Sequence, residues 1–202
     1  MLFNIRKIHS ALCFFAIILS SITMAQNSID DIVKKNNFKV TMLSLGSGST
    51  RLTYEHAFNP LNSAEATVGV VGMGWDWMNR SNPTGALLKL AYKWRLLPQR
   101  SSASWLGGFY VKPELVAAAF KYDHTAQRTG DEPTTRHLTK QVALLAECGY
   151  QLLLGWFVLD VYAGLGPSWG SGNKNNYFHS FMLFPRDGFL AFTAGYRVGI
   201  AF

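Results

Sequence analysis

Residues 84–97, TGALLKLAYKWRLL, carry the pattern that narrows the fold most, because charge and apolar bulk fall on opposite parities. Leu88, Leu90, Tyr92, Trp94 and Leu96 take the even positions, and Lys89, Lys93 and Arg95 the odd ones. Successive side chains of a strand point to opposite faces, whereas helical neighbours recur about every 3.6 residues. This segregation therefore predicts a strand. The same period runs through residues 188–202, GFLAFTAGYRVGIAF: Leu190, Phe192, Tyr196, Val198, Ile200 and Phe202 share one face, and Thr193, Gly195, Arg197 and Gly199 the other.

The chain divides into eight stretches of this kind: 38–45, 49–58, 63–73, 84–97, 105–120, 138–152, 156–166 and 188–202. Gly46-Ser47-Gly48 and Asn59-Pro60-Leu61-Asn62 read as turns between them. Pro113 cannot donate to a strand ladder, which predicts a bulge or local break in the fifth stretch. Residues 121–137 read as a long charged loop and 167–186 as the longest connection. Residues 142–166 are apolar enough to resemble a membrane-spanning helix, but Glu147, Gln151 and Asp160 fall on strand parity and argue against one.

Only 15% of the chain is charged, against about 25% in soluble domains, so a solvent other than water is expected on part of its surface. The first 25 residues read as a secretory signal: Arg6 and Lys7 precede an apolar run from Ala11 to Ile22, and Ala25 offers the small residue a signal peptidase needs. That run is shorter than the roughly 20 residues a spanning helix requires. The expected organisation is a signal peptide (1–25), a polar lead-in (26–37) and a barrel (38–202). Without Arg6 and Lys7, 17 basic residues stand against 12 acidic ones, about +5. No cluster of Lys and Arg with interleaved aromatics suggests nucleic acid, and anionic headgroups are the more natural counter-charge. Cys148 is then the one remaining thiol, so no internal disulfide is expected.

A lipocalin-like barrel shows the same alternation, so the inward face needs separate arguments. Gly69, Gly108, Gly149, Gly164, Gly166, Gly195 and Gly199 share the charged face, which suits a cramped interior better than an open surface. The second, fourth and sixth connections are short and the third, fifth and seventh long, the arrangement of outer-membrane barrels; only the first outer connection, at Gly46 to Gly48, breaks it. Trp75, Trp77, Trp94, Trp105, Trp156, Trp169, Phe58 and Phe202 lie near strand ends, where interface girdles form. The charged face then fills the lumen with Arg51, Lys89, Lys93, Arg95, Lys112 and Arg197 against Glu55, Glu65, Glu114, Glu147 and Asp160. Such near balance predicts an interlocked salt-bridge network, with a gated proton or small-ion path as its alternative.

The strands, the signal and the terminal Phe202 together resemble small eight-stranded outer-membrane barrels of OmpA/OmpX-like architecture. LTYEHAFNPLNSAEATVGVVG (52–72), GGFYVKPELV (107–116) and DVYAGLGPSWG (160–170) look like outer-membrane β-barrel families of unknown function. The resemblance implies an all-β, eight-stranded antiparallel up-and-down transmembrane barrel. It would be exported by the secretory pathway to the outer membrane of a Gram-negative-type bacterium, as a monomer among outer-membrane lipids and lipopolysaccharide. It also implies that Phe202 is an assembly signal for the barrel-insertion machinery.

Chemistry-bearing motifs are sparse. Gly46-Ser47-Gly48 and Gly170-Ser171-Gly172 lack the Lys and the following helix of a phosphate-binding loop, and both read as turns. His56, His124, His137 and His179 have no metal-ligand spacing, and no cofactor is expected. His179, Ser180 and Asp187 would suit a lipid acyl hydrolase, although ordinary loop polarity explains them equally well. The expectation is a non-enzymatic structural or surface-interaction barrel; a lipid-modifying enzyme and a small ion-conducting pore are the alternatives.

Overall fold

Alternating side chains can hide one face only if the strands find partners on both edges, and here the sheet meets itself. The computed structural model describes residues 33–76, 84–99, 104–124, 135–171, 182–183 and 190–202. The expected signal segment, and His179, Ser180 and Asp187, lie outside the described residues. In chain order the elements are β1 (Asn36–Thr41), a helical turn α1 (Met42–Gly46), β2 (Ser47–Ala57), β3 (Asn62–Asp76), β4 (Thr84–Pro98) and β5 (Gly108–His124). They continue with β6 (Thr135–Leu154), β7 (Phe157–Ser171), the two-residue β8 (Met182–Leu183) and β9 (Leu190–Ala201). Each long strand pairs antiparallel with the next, and β9 returns to β1, with Phe38 opposite Ile200 and Val40 opposite Val198. The result is an eight-stranded, closed, antiparallel up-and-down barrel. Among the described residues, closure gives every long strand a partner on both sides, although β1 covers only residues 52–56 of β2 and 197–201 of β9.

Several boundaries differ from the expected ones. β1 takes in Asn36 and Asn37 from the lead-in and stops at Thr41, where the alternation predicts a strand to residue 45. Met42–Gly46 coils instead, and α1 packs beside β2, β3 and β9. β8 pairs with Ala191 and Phe192, the part of β9 that short β1 does not reach. β5 and β6 extend into the expected charged loop, to His124 and from Thr135, because Lys121 to His124 continue the ladder opposite Leu138 to Thr135. Gly170 and Ser171 lie within β7 rather than in a turn.

Pro113 stays in register. Its pairing with Ala146 on β6 is unbroken, while the β4–β5 ladder lacks the two pairs between Ala91/Glu114 and Trp94/Val111. The bulge sits one turn of the pleat away, between Arg95 and Leu97. A missing donor removes ladder bonds without forcing an extra residue into the strand, so the break and the bulge separate.

The short connections gather at one end. Asn59 Oδ1 accepts hydrogen bonds from the amides of Leu61 and Asn62, both at 2.8 Å, forming an Asx turn between β2 and β3. Gly155, at φ 64°, makes the corner between β6 and β7, a left-handed position that suits glycine. Between β4 and β5, the side chain of Gln99 accepts from the Leu153 amide at 3.2 Å and Ser104 bridges to Lys34.

The two faces are inverted relative to a water-soluble barrel. Val68, Val70, Leu88, Leu90, Leu115, Leu144, Val161 and Leu165 point outward and are exposed, while Lys39, Glu55, Lys93, Arg95, Glu147 and Asp160 point inward and are buried.

Candidate functional site

The chemistry of the described residues is concentrated in the barrel interior. All eleven residues expected to line the lumen are buried there: Arg51, Glu55, Glu65, Lys89, Lys93, Arg95, Lys112, Glu114, Glu147, Asp160 and Arg197. They reach it by parity alone, since each sits on the inward phase of its strand. Other residues share the interior with them, among them Asn37, Thr53, Ser63 and Thr67. Lys39, Tyr110 and Gln151 are all fully buried.

Glu65 stands at the centre. Its carboxylate lies 2.5 Å from Lys39 Nζ, 2.8 Å from Lys93 Nζ, 2.5 Å from Lys112 Nζ and 3.5 Å from Arg197 Nη1. Below it, Glu55 accepts from Lys39 at 2.8 Å and from Lys93 at 3.1 Å, pairs with Arg95, and accepts from Asn37 Nδ2 and Ser63 Oγ. Asp160 pairs with Lys39 at 3.0 Å and Arg197 at 3.1 Å, and the Tyr110 hydroxyl donates to it at 2.6 Å. Above, Glu114 bridges Lys89 at 2.5 Å and Lys112 at 2.9 Å. The ion pairs thus run without interruption from Arg95 to Lys89.

Glu147 and Arg51 stand apart. The Glu147 carboxylate faces Lys112 at 3.1 Å and Arg197 at 3.6 Å, yet neither oxygen has a well-oriented hydrogen bond. Arg51 joins none of these ion pairs, and its Nε has no hydrogen-bond partner.

Two inward tyrosines pack across glycines. Gly149 lies opposite both Tyr110 and Tyr162, and Gly195 opposite Tyr162. A Cβ on Gly149 would come within 2.5 Å of the Tyr110 hydroxyl, and one on Gly195 within 2.9 Å of the Tyr162 hydroxyl. These absent side chains let the rings lie flat across the lumen, where Lys93 Nζ stands 4.0 Å from the Tyr110 ring centre and the Arg197 guanidinium 3.9 Å from that of Tyr162.

Apolar layers bound the network at both ends. Toward the short connections, Ala57, Leu106, Leu153, Val158 and Ala201 pack together, with Trp105 against them. Toward the other end lie Val71, Leu87, Ala118 and Phe120, and beside them Val116, Ala143, Leu145 and Ala191. Trp105, expected in an outer girdle, instead covers the first layer, with Lys35 Nζ 4.4 Å above its ring. The connection before β5 folds over the barrel mouth and carries Trp105 inward with Leu106.

Of the other residues expected in a girdle, Phe58, Trp94, Trp156 and Phe202 are exposed at the short-connection end and Trp169 at the opposite end of β7, while the side chains of Trp75 and Trp77 lie outside the described residues. Phe202 stacks on Phe38 at 5.7 Å, Phe38 meets Tyr54 at 5.1 Å, and Phe58, Tyr92 and Trp94 continue the row. His56 belongs to this band, edge-on to Phe58, with Nδ1 2.7 Å from Asn36 Oδ1. Among the described residues no cluster of His, Cys, Asp and Glu could hold a metal ion. Carboxylates so closely surrounded by cations are suited to fixing side chains in place rather than to turning over a substrate. No known family, no curated protein and no solved structure matches the chain.

Proposed function

We propose that the chain is an integral outer-membrane β-barrel with a non-enzymatic structural or surface-interaction role. The observation that carries this reading is the inversion of the faces. A continuous belt of exposed Leu, Val, Tyr and Trp surrounds an interior of buried Lys, Arg, Glu and Asp. In water such a belt is an aggregation surface, whereas in lipid it is the favourable solvent-facing side. The aromatic row from Phe202 to Trp94 supports one interface of that belt. A tilted strand of about 9–11 residues spans the hydrocarbon, and β3 to β7 are longer, which fits a barrel projecting beyond the bilayer at the long-loop end.

In this reading residues 1–25 direct export and Phe202 is recognised during insertion. The apolar layers flanking the ionic network argue against a conducting pore. Recovery from the membrane fraction, with a gel mobility that changes on boiling, is the expected behaviour; a soluble monomer in the absence of detergent would refute the proposal.

A further inference from the structure

A groove of about 490 Å³ runs across the outer wall from β2 to β6. Clefts that hold small molecules measure about 300–1,000 Å³. The groove follows from strand register. Outward side chains of neighbouring strands stand in rows, and two rows dip at β3: Tyr54, Ala66, Leu90 and Leu115 form one, and His56, Ala64 and Tyr92 the next. Two methyl groups between large side chains leave a trough. The following row fills again with Val68, between Leu52 and Leu88. Toward the short connections the stacked rings of Phe58 and Tyr92, 6.3 Å apart, border it.

The polar groups at this groove are acceptors. Pro113 keeps its pairing with Ala146 although it has no N–H, so its nitrogen faces β4, where the pair with Tyr92 is missing. The Tyr92 carbonyl therefore lacks the ladder donor that any other residue at 113 would supply. Asn36 Oδ1, which can only accept, takes the Tyr54 hydroxyl at 2.8 Å and His56 Nδ1 at 2.7 Å. The neutral imidazole thus carries its proton on Nδ1 and leaves Nε2 as an acceptor. No Lys or Arg lines the groove, and Glu65, its one charged neighbour, turns its carboxylate inward to Lys39 and Lys112. An anionic headgroup finds no counter-charge here, whereas an ammonium finds acceptors and aromatic faces.

We propose that the groove binds one glycerophospholipid of the ethanolamine class, with an acyl chain over Ala64 and Ala66 and its ammonium donating to His56 Nε2. The Tyr92 carbonyl is a second acceptor in the same groove. This inference rests on the reading of the outer wall as lipid-facing.

The test is native mass spectrometry of the barrel in mild detergent with equimolar phosphatidylethanolamine and phosphatidylglycerol. One bound lipid is expected, with the ethanolamine form retained about tenfold over the glycerol form. Ala66→Leu, which fills the trough from an exposed position, is expected to lose the lipid. His56→Phe is expected to keep a lipid and lose the preference. A heat-modifiable barrel that retains no lipid or does not favour ethanolamine overturns the proposal, as does retention in Ala66→Leu or a preference that survives in His56→Phe. Those results leave the membrane reading standing; a soluble monomer without detergent overturns that reading and this proposal with it. Should Ala66→Leu fail to assemble, the unaltered barrel decides with phosphatidylethanolamine bearing a photoactivatable acyl chain: labels at residues 64–66 and 90–92 are expected, and labels confined to other segments refute the assignment.

Discussion

Replacing Glu65 with Gln keeps the shape of the side chain and removes the charge on which the interior converges. Four cationic nitrogens lie between 2.5 and 3.5 Å from this carboxylate. At an effective dielectric of about 20, each contact represents about 5–7 kcal/mol of gross attraction. Most of this replaces hydration that the carboxylate lost on burial. The net loss is therefore expected at about 3–5 kcal/mol, the range for removing one member of a buried ion pair. The excess of positive charge in the lumen also grows by one, which places Glu65→Gln at the upper end. At about 2–4 °C per kcal/mol for a chain of this size, the unfolding midpoint falls by about 6–20 °C. Urea unfolding in lipid vesicles, followed by tryptophan fluorescence, gives the free energy directly. A variant within about 0.5 kcal/mol of the parent, the range of ordinary surface substitutions, would refute the idea that this network holds the barrel together.

Three further outcomes follow from the same structure. Leu90→Arg, on the exposed belt, is expected to cost up to about 2–4 kcal/mol in a bilayer, whereas a water-facing position would tolerate it; vesicle-based urea titration distinguishes the two. Gly149→Val forces a side chain against the Tyr110 hydroxyl and the Val161 carbonyl, and an overpacking loss of at least about 1–3 kcal/mol is expected in the same titration. Deleting Phe202 removes its stacking on Phe38 and two backbone hydrogen bonds with Asn36, at 3.1 and 2.9 Å, so less barrel is expected in the membrane fraction. Normal insertion without Phe202 would refute the proposal that it is an assembly signal.

Parity made much of the interior legible. Once Lys89, Lys93 and Arg95 are seen to alternate with Leu88, Tyr92 and Trp94, the inward phase of β4 follows, and the same reading places Glu147 and Arg197. Lys39 escaped because β1 is short and its alternation runs into α1, leaving too few residues to mark a phase. The same FKVT segment nevertheless sets Lys39 and Thr41 against Phe38 and Val40, which was the available signal. Tyr110 and Gln151 sat on the polar face in sequence, but their partners come from strands far away in the chain. Strand ends were less legible because Lys121 and His124 look like loop residues and pair only once the sheet is formed. Trp105 shows a different limit: strand-end position does not tell whether a connection folds outward or over the barrel mouth.

The pairing of β1 with β9 also has a consequence in time. Asn36 and Phe202 exchange backbone hydrogen bonds although almost the whole barrel sequence separates them. No early hairpin can supply the partner that β1 needs, so one of its edges stays open until the end of the chain arrives. Contacts of such long sequence separation form slowly, and until they do an open edge and an apolar outer face are exposed together. The barrel is closed only when its last strand meets its first, so β9 sets the moment at which the edge and the fold are completed.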